Sequence, residues 1–99
     1  MNPGEAAAAR YVAEREEKRA FIKDILKHTC WRKGRTGTAH YAGWRQKDGQ
    51  PLILLRSSSS EIIVVPVDDR TLHRMKRLTH GDEVMLDAQG MIRNRGRSR

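Results

Sequence analysis

The side chains best suited to chemistry in this chain are cations. The C-terminal stretch MIRNRGRSR places Arg93, Arg95, Arg97 and Arg99 at every second position. In an extended strand alternate side chains share one face, about 6.6 Å apart. Four guanidinium groups in such a row would suit a phosphate backbone. Gly96 interrupts the row. Arg93 and Arg95 are therefore expected on a final hairpin, and Arg97 and Arg99 on a loose end.

Two further groups carry the same chemistry. In HTCWRKGRTGT, Trp31 stands beside Arg32, Lys33 and Arg35 on a glycine-bearing loop. An aromatic among bases suits stacking on a nucleobase with charge on the phosphates. The competing reading packs Trp31 on a sheet and leaves the bases as a solvated linker. In DDRTLHRMKRL, Arg70, His73, Arg74 and Arg77 recur at i, i+3, i+4 and i+7, a basic helix stripe with Lys76 beside it. It reads either as a phosphate-contacting face or as the solvated side opposite Leu72 and Met75. Trp44 and Tyr41 are expected to pack rather than stack.

No catalytic constellation accompanies these cations, so the chain is not expected to be an enzyme. His28, Cys30 and His40 lack a fourth partner and the paired spacing that metal sites use. Glu16–Glu17 and Asp68–Asp69 are adjacent acids on or near helices, suited to solvation and capping. The GRTG fragment lacks the ending of a phosphate-binding P-loop. No metal or other cofactor is expected.

Composition agrees with a polyanionic partner. The 99 residues carry a formal charge of +8, and only 37% are hydrophobic, which bounds the core. The excess is local: residues 29–60 hold six bases against one acid, and residues 91–99 hold four against none. One cysteine, no apolar run of membrane-spanning length and no opening secretory signal point to a cytoplasmic protein without membrane insertion.

Placing these groups requires a scaffold. Residues 5 to about 27 read as a helix, with Pro3 and Gly4 before it and Ala6–Ala9 favouring it. Phe21, Ile22, Ile25 and Leu26 gather late, so the C-terminal half is expected to dock. A loop follows. Asp48-Gly49 marks a hairpin between two strands, and PLILL and EIIVVPV are apolar at consecutive positions, implying burial on both faces. A second helix, capped by Asp68 or Asp69, precedes a last hairpin around Gln89-Gly90. The expected fold is α+β: an N-terminal helix (1–28), then a small five-stranded SH3-like or OB-like barrel (29–99) with the second helix between its third and fourth strands.

Several stretches together resemble a known family. YVAEREEKR (11–19), DILKH (24–28), YAGWRQKDGQPLILLR (41–56), VPVDDRTLHRMKRLTHGDEV (65–84) and the basic end RGRSR are similar to the C-terminal region of plasmid conjugal-transfer relaxases of the TraI and MobA/MobL type. The resemblance implies a role in plasmid mobilisation. In such relaxases the chemistry lies in an N-terminal domain with a tyrosine nucleophile and a metal-binding histidine triad, and no such triad stands in these 99 residues. An accessory role is implied instead: contact with DNA, single-stranded or duplex, or docking on relaxosome proteins or the type IV secretion coupling protein. An independent small-barrel regulator that binds nucleic acid is the remaining alternative.

Overall fold

The computed structural model of the chain describes residues 2–94. Helix α1 spans Pro3–Arg19. Asn2 caps it in a reciprocal pair: Glu5 N–H donates to Asn2 Oδ1 at 2.8 Å, and Asn2 N–H donates to Glu5 Oε1 at 3.2 Å. Pro3, in the first turn, needs no amide partner there. The helix ends well before residue 27. Continuing it to that residue would carry the chain about 12 Å farther along the axis. The chain instead turns, with the N–H groups of Phe21 and Ile22 both donating to Lys18 O at 2.9 Å. That turn returns residues 28–30 to the sheet.

The docking face also differs from expectation. Ala7, Ala8 and Tyr11 are buried, whereas Phe21, Ile22 and Leu26 are exposed. The alanine-rich first half lets the helix backbone approach the sheet closely, which the bulkier second half would not.

The strands are β1 (His28–Cys30), β2 (Gly37–Lys47), β3 (Gln50–Arg56), β4 (Ile62–Pro66), β5 (Glu83–Leu86) and β6 (Ile92–Asn94), and helix α2 spans Asp69–Met75. They form one sheet in the order β1-β4-β3-β2-β5-β6. Among the described residues only β1 and β4 run parallel. The expected closed barrel, SH3-like or OB-like, does not form: the sheet is open, mixed and six-stranded. The extra strand is β1, which lay within the expected loop. With β1 counted, α2 falls between β4 and β5 rather than between the third and fourth strands. Among the described residues the edge strands β1 and β6 do not pair, so the sheet stays open, and α1 covers part of the β1 edge. The His28 N–H points away from β4 and donates to Glu16 Oε2 at 2.7 Å, so a carboxylate from α1 occupies a donor that a closing strand would use.

The apolar runs do bury both faces. Ile53, Leu55, Ile63 and Val65 pack with Leu72 and Met75 of α2, while Leu52, Leu54, Ile62 and Val64 pack with Ala8 and Tyr11 of α1. The two helices thus cover opposite faces. Asp48 and Gly49 make the β2–β3 turn with φ of 52° and 76°, as a two-residue hairpin requires. A register shift between Tyr41 and Trp44 divides β2. Gly37–His40 pair with β5, while His40 and Tyr41 before the shift and Trp44–Lys47 after it pair with β3.

Candidate nucleic-acid interface

The loop after β1 is built around Trp31. Its backbone N–H continues the ladder, donating to Val64 O at 3.0 Å. Its indole Nε1 donates to Arg35 O at 3.1 Å. The ring packs against the core and lies across Gly90, where a Cβ would stand only 3.1 Å from Cη2. Gly34 N–H donates to Ala88 O at 3.0 Å, so the loop rests on the β5–β6 turn. Trp31 therefore anchors this loop, and its remaining surface lines a cleft.

That cleft, about 650 Å3, lies between α1 and the loop. Ala8 and Ala9 form one wall, Arg32 and Lys33 the other, with Cys30, Trp31, Pro66 and Glu5 completing it. A second hollow of about 540 Å3 is also lined by Arg32 and Lys33, with Arg35, Val12, His28, Thr29 and Cys30. Arg32 and Lys33 are exposed, and no ion pair engages them among the described residues. Arg35 is different: its Nη2 donates to Glu61 Oε1 at 2.6 Å, which neutralises much of its charge.

The α2 stripe lies on the other side of the sheet. Asp68 caps this helix by accepting the Thr71 N–H at 2.8 Å, and that hydrogen bond holds its carboxyl below the usual range. Leu72 and Met75 are buried, while Arg70, His73, Arg74 and Arg77 are exposed. Lys76, beside the stripe, sits with Nζ 4.3 Å from the centre of the Trp44 ring. Tyr41 is buried in the core. Arg93 points outward from β6, opposite Met85, because its neighbour Ile92 points inward. Arg95, Arg97 and Arg99 lie outside the described residues.

The expected contacts thus separate into groups. Trp31, Arg32 and Lys33 share one cleft. Arg70, Arg74 and Arg77 share a face of α2, and Arg93 stands on the strand leaving the turn that Gly34 touches. The α1 wall of the cleft was not legible as part of a site. Its only signal was the run Ala6–Ala9, which reads first as helix propensity.

The other titratable groups serve the fold. His28 is buried edge-on to Tyr11, with ring centres 5.9 Å apart, and its Nδ1–H donates to Leu26 O at 2.7 Å. Burial pushes its pKa below the usual histidine value, against the pull of that hydrogen bond. Burial also raises the Cys30 thiol, which disfavours a thiolate. Among the described residues no three His, Cys, Asp or Glu side chains are grouped to hold a metal ion. None of their helices is long and apolar enough to cross a membrane.

An open mixed sheet between two helices, with Arg32 and Lys33 lining a cleft beside α1, defines a small α+β module. The chain belongs to the TraI-like C-terminal domain family, whose model matches residues 7–93. It is 48% identical over 95 residues to a Protein TraI of Escherichia coli, covering 95% of this chain and 13% of that protein. It is 42% identical over 99 residues to another Protein TraI of the same organism, covering 98% of this chain and again 13% of the relative. The chain thus spans a small part of the length of these relatives. No solved structure matches it. The resemblance read from Tyr41–Arg56 and Val65–Val84 holds across nearly the whole chain.

Proposed function

We propose that this chain is a non-catalytic accessory module of a conjugation relaxase, holding nucleic acid mainly through its phosphates. One observation carries the reading: Arg32 and Lys33 stand without ion-pair partners, among the described residues, on a cleft that Trp31 anchors. Two cations held beside a rigid wall give a placed anion site rather than a diffuse charge. Membership of the TraI-like C-terminal domain family supplies the conjugation context. Phosphate contacts carry no base information, so sequence preference is weak. Exposed Arg70, Arg74 and Arg77 of α2 and Arg93 of β6 are further candidate phosphate contacts, and Arg95 and Arg97 join them on the sequence alone.

Fluorescence anisotropy with single-stranded and duplex 20-mers across a salt series tests this. Replacing both Arg32 and Lys33 by alanine removes two phosphate contacts. The slope of log K against log salt should then flatten by about 1.4 on a single strand, or about 1.8 on duplex. Deleting residues 95–99 tests the tail while sparing buried Ile92. No binding to either oligonucleotide at low salt would sink the proposal.

A further inference from the structure

The connection between α1 and β1 presents apolar side chains to solvent. Phe21 is 85% exposed, Ile22 50% and Leu26 38%. The segment is nonetheless ordered by hydrogen bonds. Phe21 and Ile22 N–H groups donate to Lys18 O, Ile25 N–H donates to Ile22 O at 3.4 Å, and the His28 ring holds Leu26 O. Glu16 ties the two ends together, accepting from Arg19 and from His28 N–H. Three large apolar side chains within six residues, held in place and left exposed, mark a candidate interaction site.

Charge says what covers it. Elsewhere Arg10, Lys47 and Arg35 are each paired with a carboxylate, and Arg19 is paired with Glu16. Lys18, Lys23 and Lys27 flank the apolar side chains and, among the described residues, enter no ion pair. They outnumber the neighbouring carboxylates outside an ion pair, Glu17 and Asp24. A second copy docking through the same patch would set two surfaces of net positive charge against each other. An anionic bilayer would meet a short turn with Asp24 in its middle, not the extended amphipathic helix that membrane surfaces favour.

We propose that Phe21, Ile22 and Leu26 form a docking site for an acidic amphipathic helix of a protein partner. The apolar stripe of that helix covers the three side chains, and its flanking carboxylates meet Lys18, Lys23 and Lys27. The site is separate from the Arg32–Lys33 cleft and does not depend on nucleic-acid binding.

The test uses the 15N-labelled full chain and two synthetic 18-residue amphipathic helices, both with a leucine stripe, one flanked by glutamates and one by lysines. The glutamate peptide should shift amide resonances within residues 18–28, and the lysine peptide should not. Phe21→Ser should weaken the glutamate peptide about 30-fold, as loss of a central anchor does. Lys23→Glu should weaken it up to about fivefold. Ile22→Ser is a second exposed variant, and both serine variants should keep the wild-type spectrum elsewhere. No shifts in 18–28, equal response to both peptides, or shifts confined to the Arg32–Lys33 cleft would overturn the proposal. So would Phe21-dependent self-association in sedimentation, or Phe21-dependent binding to phosphatidylglycerol vesicles without peptide binding.

Discussion

Glu16 of α1 accepts the backbone N–H of His28 at 2.7 Å, joining the last turns of the helix to the first residue of β1. The contact caps an edge strand and fixes where the chain re-enters the sheet. Arg19 reinforces it, donating to the same carboxylate at 3.1 Å.

The first prediction concerns that carboxylate. The Arg19 hydrogen bond, then the His28 N–H, holds Glu16 below its usual pKa of 4.5. A carboxyl depressed in the folded state contributes stability that is full above its unfolded pKa and is lost as pH falls through the folded value. Glu16→Ala should therefore lower the thermal midpoint at pH 7, and the gap from wild type should close toward pH 3. Circular dichroism melts at several pH values measure this, and a gap unchanged at pH 3 would refute it.

The second concerns His28. Burial lowers its pKa from 6.5, so the fold favours the neutral ring. The unfolded chain then binds the proton more readily, and stability falls as pH drops below about 6.5. His28→Phe keeps a ring beside Tyr11 and removes the titration. Urea midpoints of the variant should change less between pH 7 and pH 5 than those of wild type. Parallel curves would exclude His28 as a source of acid sensitivity.

The third separates backbone strain from packing. Gly90 has φ of 87° and an added Cβ would press on the Trp31 ring, whereas Gly49 has φ of 76° and nothing within 4 Å. Gly49→Ala should cost about 1 kcal/mol from the left-handed backbone alone, and Gly90→Ala about 2 kcal/mol. Denaturant unfolding gives both values. In a Trp44→Phe background only Gly90→Ala should alter Trp31 emission, and equal effects of the two variants would contradict the contact.

The fourth addresses α2. Arg70, Arg74 and Arg77 are exposed while Leu72 and Met75 hold the helix to the sheet. Replacing all three arginines with glutamine should leave stability within about 0.5 kcal/mol per site. If each meets one phosphate of a single strand, the salt slope flattens by about 2.1. An unchanged slope in a folded variant would remove α2 from the interface.

What could be read directly from the chain was local. Consecutive apolar residues in PLILL and EIIVV imply burial on two faces, and they receive α1 on one and α2 on the other. Asp48-Gly49 encodes a tight turn because the turn needs positive φ at both positions. Asp68 encodes a cap because its carboxylate reaches an amide three residues on. The family was legible too, from motif order along the chain.

The rest depended on contacts between distant residues. Strand β1 has three residues and pairs in parallel with β4, so neither its length nor its periodicity marks it. The end of α1 follows from where β1 must lie, not from helix propensity, which runs on past Arg19. Trp31 became an anchor because Gly90 leaves room for its ring, and Arg35 lost its freedom to Glu61, 26 residues away. Side-chain type and spacing determined which groups can bind an anion. Tertiary packing decided which of them remain unpaired on one surface, because charge is neutralised by neighbours in space rather than by neighbours in sequence.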